Sequence, residues 1–421
     1  MGGLLNNYTR MRDEDLILMK ANIKEICIRL IYVFAFIFAL TYICYGGEGG
    51  NHLWKIISAL PIFMIIFLCL VYLFSRKYLR FDFIGILLFL MIIYELAVSL
   101  IRKMFIMPNI LMDVIAWPLL FWVFLDYSKE NEISKYSANI ITVIGMSLIC
   151  AMTAFVVIYR FRHGSSSGST VFTTYLSFSF LPLVYLYCNK RVSTVFNIIV
   201  AILMVLTLKR AAFIIVVVGI FLYYIINSYV AGNRGKKIQR LFVTMIILLA
   251  LGLLGWLLID RLNIGILKRL SSSVEDGGSG RTRIWELILN EFKKSPQSER
   301  IFGHGFHYVF YELRPFGISR FAHDSLIETL YDYGIVGLGL LVSLIIYLLN
   351  KAIAMVRTKS TVASTMIFST ISMIVLTAIS YFFEQSVMTI PHVMIWGICI
   401  GRFIREKKVK TVLKLLVGGA T

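Results

Sequence analysis

The sequence predicts an all-α polytopic membrane protein, and three observations carry that reading. Hydrophobic residues make up 59% of the chain, charged residues 15% and aromatic residues 14%, too little charge to solvate the surface of an ordinary globular domain. Apolar stretches of about 20 residues, enough to cross a hydrocarbon core of about 30 Å, recur along nearly the whole length. One long polar interruption breaks them, between Asp260 and Glu328.

Taken in order, the predicted spans lie near residues 25–45, 54–74, 81–100, 107–126, 139–159, 171–188, 193–208, 211–230, 240–260, 330–349, 362–383 and 388–404. About twelve transmembrane helices follow. The chain then divides into nine helices over 1–259, a loop subdomain over 260–328, and three helices with a tail over 329–421.

Short loops set the orientation, because Lys and Arg are retained on the cytoplasmic side. Arg10, Arg12, Lys20 and Lys24 precede the first span, Arg76, Lys77 and Arg80 follow the second, and Lys190 and Arg191 follow the sixth. Arg234, Lys236, Lys237 and Arg240 follow the eighth. Lys351, Arg357 and Lys359, then Arg402, Arg405, Lys407, Lys408 and Lys410, complete the set. An even count places all of these on one side, so both termini are expected in the cytoplasm and the large loop in the periplasm or outside the cell. The formal charge of +19 is then a topology signal and an attraction to anionic lipid, not a sign of nucleic-acid binding. The first apolar run follows a polar segment and has no small-residue cleavage site, so no cleavable signal peptide is expected. Cys27, Cys44, Cys69, Cys150, Cys188 and Cys399 lie in or beside apolar segments without paired spacing, as small packing residues do.

Cations that fall on the external side act against the topogenic rule. Arg102 with Lys103, and Arg160 with Arg162, fit snorkelling to outer phosphates as well as a binding role. Arg210 differs, because it stands between two apolar runs with no loop, where an ionised side chain needs a partner or a water-filled cavity. It is a candidate ligand for an anion.

The large loop holds ten Lys or Arg and nine Asp or Glu, a mixture that fits a folded subdomain better than a basic tail. Ile284, Trp285, Leu287, Ile288, Leu289 and Phe292 follow the Gly277-Gly278-Ser279-Gly280 break at helical spacing, which predicts an amphipathic helix starting near Arg281. Arg281 and Arg283 would stand at its opening turn, where backbone N–H groups also face an anion. Guanidinium groups bind phosphate oxygens in pairs, so a diphosphate site is one reading. Solvated arginines paired with Glu275 or Asp276 are the other. His304 and His307 lack a third ligand at any recognisable metal spacing. His323 stands just before a span, where an imidazole can take a proton from a hydroxyl at neutral pH or serve a structural purpose.

Together these elements resemble a family. Arg210 at a span end, Gly280-Arg281-x-x-Ile284-Trp285, Phe302-Gly303-x-Gly305, then Ala322-His323-Asp324-Ser325 followed by Gly334 and Gly337 are similar, in order and spacing, to the O-antigen ligase and O-antigen polymerase (Wzy-type) family. The likeness covers roughly 195–400. Asp324 stands where Asn is common in that family, and an aspartate there would raise the basicity of His323. The resemblance implies a metal-independent, cofactor-free inverting glycosyltransferase similar to the type C membrane fold. Its donor would be an undecaprenyl-pyrophosphate-linked glycan. The acceptor would be another lipid-linked repeat unit for a polymerase, the favoured reading, or lipid A–core for a ligase, with a chain-length regulator as a further partner. His323, Arg210 and Arg281 would form the catalytic set, and Arg283, Arg320, Arg160 and Arg162 would contact glycan or phosphate. A flippase or other transporter is the reading from a different class, and would place its charges along a path through the bilayer.

Overall fold

A computed structural model describes residues 23–41, 52–76, 82–104, 111–163, 168–207, 212, 214–232, 281–316, 321–380 and 382–418. Among them every regular element is helical. Helix α1 covers 23–41, α2 His52–Phe74, α3 Phe83–Ile101, α4 Trp117–Glu130, α5 Lys135–His163, α6 Gly168–Tyr187, α7 Lys190–Thr207 and α8 Phe221–Val230. The loop region contributes α9 (Arg281–Lys294), α10 (Gln297–Phe302) and α11 (Tyr308–Glu312), and the chain ends in α12 (Ser325–Arg357), α13 (Ala363–Ile379) and α14 (Ser386–Gly418). Wide π-type turns, Leu111–Ala116 and Ile215–Ile220, lead into α4 and α8.

Helices lie over every predicted span except 240–260, which falls outside the described residues. Among the described residues, four are long and apolar enough to cross a membrane by length and composition: Phe83–Ile101, Lys135–Tyr159, Ser325–Arg357 and Ser386–Val412. Ala59–Phe74, Ile215–Val230 and Ala363–Ile379 are apolar but shorter. Large apolar side chains point outward from α2 and α3, among them Leu60, Phe67, Phe89 and Ile101. Water would penalise such a surface, and lipid would not.

The core gathers around α14, which packs along α4. A Cβ on Gly397 would lie 2.7 Å from the Phe124 Cβ, and one on Gly401 2.6 Å from the Ser128 Cβ. Two glycines four residues apart therefore let the backbones of α4 and α14 close up, as small residues do between membrane helices. Trp117, Phe121, Phe124, Phe178, Phe368 and Trp396 fill the remaining space and are fully buried.

Over this bundle sits a smaller core. Ile284 and Ile288 of α9 pack with Val309, Leu313, Ala322 and Tyr331, and the spacing of four between the two isoleucines is the predicted amphipathic face. Glycine backbones fasten the small core to the bundle. Gly303 (φ 89°) follows α10 and Gly334 (φ 66°, ψ −169°) breaks α12, and the two segments cross in backbone contact. A Cβ on Gly303 would lie 2.2 Å from the Asp332 carbonyl oxygen, and one on Gly334 2.3 Å from that of Ile301. The span read over 330–349 thus contains a break near its start.

Side chains complete the join. Arg102 donates from Nε to the Gly303 carbonyl (3.1 Å) and pairs through its guanidinium with Glu299 (3.2 Å). That corrects the lipid-snorkelling expectation for this residue: a folded carboxylate at close range binds it. Tyr94 donates to the Tyr333 carbonyl at 2.8 Å. The buried Asp332 carboxylate accepts from the backbone N–H of Val309 at 3.0 Å, two residues after the left-handed turn at His307 (φ 55°).

Candidate functional site

Three helix ends meet above the bundle: the N-terminus of α9, the N-terminus of α12 and the C-terminus of α13. Arg281 is the first residue of α9, and its guanidinium donates to the Ile379 carbonyl at the last turn of α13. Carbonyls there have no helical partner, so a cation at that end is doubly favourable. Arg281 also acts electrostatically on the Tyr175 hydroxyl, which brings α6 to the same place.

One turn on, Trp285 shares the face of Arg281. Its indole Nε1–H donates to the carbonyl of Ala322 at 2.8 Å. Ala322 is fully buried and immediately precedes His323. Through this bond the arginine of one motif and the histidine of another are brought to one junction.

His323 is partly buried and has left-handed backbone geometry, with φ 56°. A non-glycine residue there is uncommon and has to be held by its surroundings. Asp324 follows as the N-cap of α12, accepting from the N–H of Leu326 (2.9 Å) and of Ile327 (3.0 Å). This aspartate is occupied in capping the helix, and burial pushes its carboxyl above the ordinary range. The sequence reading had it tuning the imidazole.

Behind the cap lie acidic groups that sequence reasoning passed over. Ser325 donates from Oγ to the carboxyl of Glu384 at 2.8 Å and accepts from the Phe383 N–H at 3.3 Å, tying the α13–α14 connection to the start of α12. Burial is the main cause that raises the Glu384 carboxyl, with Asp113 and Asp324 adding to it. Glu328 is 1% exposed and stands near Glu384 and Asp332. Asp113, on the π-type turn before α4, accepts from the N–H of Ser386 at 3.2 Å and from its hydroxyl. A signal for Asp113 was present in the sequence, because an acidic residue inside an apolar run rarely stands there without a purpose.

The loop histidines differ in kind. His304 stacks on Tyr331 with centroids 4.2 Å apart, donates from Nδ1 to the Tyr331 carbonyl (2.9 Å), and turns Nε2 to the Ser295 hydroxyl (3.1 Å). His307 stacks on Phe306 with centroids 3.8 Å apart, and its Nε2 is 4.0 Å from Asp113. Burial lowers its pKa to about 3, so it is neutral at physiological pH.

The remaining sequence candidates are more scattered. Arg283 is exposed, two residues from Arg281 and therefore on another face of α9. Arg162 is exposed near the end of α5, while the side chain of Arg160 lies outside the described residues, as do Arg210 and Arg320 altogether. Among the described residues, then, the Trp285–Ala322 bond links the helix that begins at Arg281 to the turn at His323. A junction of this kind offers a guanidinium, a helix N-terminus and a neighbouring imidazole: donors for an anion beside a group that can accept a proton.

Residues 195–342 match the family model described as O-antigen ligase. The matched stretch runs from α7 into α12 and so contains both Arg281 and His323. A search of curated proteins finds no match.

Proposed function

Because residues 195–342 carry a domain of the O-antigen ligase family, we propose that the protein is a membrane glycosyltransferase that acts as an O-antigen polymerase. It takes a glycan from an undecaprenyl-pyrophosphate carrier and passes it to a hydroxyl of a second lipid-linked repeat unit. The observation that carries the reading is the Trp285–Ala322 hydrogen bond, which joins the helix of Arg281 to the turn of His323.

In this reaction His323 takes the proton of the attacking hydroxyl. The oxygen bonds to the anomeric carbon from the face opposite the diphosphate, and the bond from that carbon to the diphosphate oxygen breaks, so the configuration inverts. Negative charge grows on the leaving diphosphate and dominates the barrier. Arg281 and Arg210 neutralise it, the task a metal ion performs elsewhere. Arg283, Arg320, Arg160 and Arg162 contact phosphate or glycan further out. The lipid tails lie along the apolar helix faces in the inner membrane, with the catalytic loop in the periplasm.

The test is an assay of the purified protein with lipid-pyrophosphate-linked repeat unit alone, in EDTA, comparing wild type with His323→Ala and Arg281→Ala. A ladder of longer lipid-linked glycans that disappears in both variants supports the polymerase. Transfer only when lipid A–core is supplied makes the protein a ligase. Neither outcome in wild type removes the glycosyltransferase reading and favours a transporter.

A further inference from the structure

The loop subdomain presents an arginine held against two aromatic rings, and neither the sequence motifs nor the transfer reaction uses it. In α11 and the turn after it, Val309 and Leu313 are buried in the small core, whereas Phe310 is half-buried and Tyr311 and Arg314 are exposed. The Arg314 guanidinium carbon lies 4.8 Å from the ring centroid of Phe310 and 4.8 Å from that of Tyr311, and the two rings stand edge to face, 88° and 5.9 Å apart. Among the described residues that guanidinium has neither a hydrogen bond nor an ion pair, so its N–H donors are held in place but unused. Phe310 continues the row: its centroid is 5.3 Å from that of Phe321, which stands two residues before His323. The His307 ring meets Phe321 at 5.1 Å and stacks on Phe306, and Phe306 packs with Val98 of α3 and Val114 of the π-type turn. The row is therefore anchored on the bundle at one end and open to solvent at the other.

We infer that Phe321, Phe310, Tyr311 and Arg314 form a glycan subsite, which holds sugar units beyond the one that undergoes transfer. The inference rests on the proposed transfer reaction and deepens it. A sugar ring has a face of C–H groups that can cover an aromatic side chain and an edge of hydroxyl or carboxylate oxygens that accept from a guanidinium; rings beside an unpaired arginine offer both partners at once. An apolar protein segment laid over the same rings would leave the guanidinium desolvated without an acceptor. An isolated phosphate would use the arginine and leave the rings idle. Continuity gives the second reason. Phe321 belongs to the segment that leads into the His323 turn, so a glycan whose reacting unit lies at that turn passes onto the rings of Phe310 and Tyr311 without leaving the protein surface. The packing also makes binding economical in entropy: Phe321 is flanked by two rings and Arg314 lies against two, so little side-chain freedom remains to be lost when a sugar settles there. Units bound at this distance from the chemistry are held alike in the ground state and the transition state, and contribute affinity more than rate.

The test uses the full-length protein in lipid nanodiscs, with the repeat-unit oligosaccharide released from its lipid pyrophosphate as the probe. Calorimetric titration with this free glycan should show binding weakened about 10-fold by Arg314→Ala, the size of one charge-assisted hydrogen bond. Tyr311→Ala should weaken it by about 5- to 10-fold, the size of one lost stacking face, whereas Tyr311→Phe keeps the ring and should stay within about twofold. Both residues are exposed, so melting temperatures should move by no more than about 1–2 °C. In the transfer assay each alanine variant should raise KM for the lipid-linked repeat unit by its own factor and leave kcat unchanged. Wild-type affinity and KM in both alanine variants would overturn the subsite while leaving the reaction in place. Quenching of Tyr311→Trp by lipids brominated in their chains, beyond that of the native tryptophans, would also overturn it, because the patch would then face the membrane. If the free glycan binds and the alanine variants weaken it, but wild type transfers nothing, the subsite stands and the assigned reaction falls.

Discussion

Gly334→Ala tests whether the crossing of two backbones holds the loop subdomain on the bundle. The φ of 66° and ψ of −169° at this position belong almost only to glycine, and forcing alanine there costs on the order of 1–3 kcal/mol. The new Cβ would meet the Ile301 carbonyl oxygen at 2.3 Å, its carbon at 2.5 Å and the Gly303 nitrogen at 2.7 Å. All three are backbone atoms, so no side chain can turn aside, and overpacking adds about 1–3 kcal/mol. Restricting the unfolded chain returns about 0.4–1 kcal/mol. The net expectation is a loss of about 2–5 kcal/mol. At roughly 2 °C per kcal/mol for a chain of this size, the melting temperature in detergent should fall by about 4–10 °C. Gly339→Ala is the control on the same helix: nothing lies within 4 Å of its Cβ, and it should be neutral or gain up to about 1 kcal/mol. Thermal unfolding of the two variants at matched scan rate decides the matter. Melting temperatures within a degree of each other would refute the crossing as a source of stability.

Three further outcomes follow from the same structure. Trp285→Phe keeps a ring but loses the bond to Ala322, and should cost about 1 kcal/mol of stability and about tenfold in transfer rate; unaltered turnover would break the link drawn from Arg281 to His323. His307 has a pKa of about 3 in the folded protein against an unfolded value near 6.5. The unfolded chain therefore binds more protons between these values, so the stability this residue contributes is complete above pH 6.5 and is lost as pH falls towards 3. The non-titrating His307→Asn, which tolerates the left-handed turn, should narrow the difference in melting temperature between pH 7.5 and pH 5; an unchanged difference would remove His307 as its source. Arg281→Lys keeps the charge but not the planar fork, and should lower kcat by about 100-fold. Retention of full activity would show that a point charge suffices for the diphosphate.

Much of the helical layout was legible because a spanning helix announces itself by length and composition. The amphipathic helix from Arg281 was legible too, since Ile284 and Ile288 recur at the period that buries them. What spacing could not reveal was which motifs touch. Gly303 and Gly334 are separated by thirty-one positions in the chain, and nothing in either motif says that each glycine is needed because of the other. Arg102 read as a lipid-facing cation because its partner, Glu299, lies far along the chain. Glu328 and Glu384 were missed for a related reason: a carboxyl next to a span end looks solvated until the fold closes over it. Arg210 lies outside the described residues, so of the two arginines proposed to neutralise the diphosphate Arg281 is the one described.

The way this site is held suits the substrate proposed for it. A lipid-linked donor is positioned by its tail in the bilayer, and the reacting carbon then lies at a depth the enzyme cannot adjust freely. Catalytic groups on a loop must therefore be fixed relative to the spans. Long side chains would do this poorly, because each carries rotamer freedom that has to be given up. Backbone does it better, and here the loop is attached mainly through backbone: two glycines in contact, a carboxylate on the Val309 N–H, an arginine and a tyrosine on carbonyls, and an indole on the carbonyl before His323. Every one of these attachments fixes main-chain position, which leaves the proposed chemistry to the side-chain ends of Arg281 and His323. The same logic accounts for the glycines at the crossing: their contribution is closeness of approach, and any side chain at Gly303 or Gly334 would force the two segments apart.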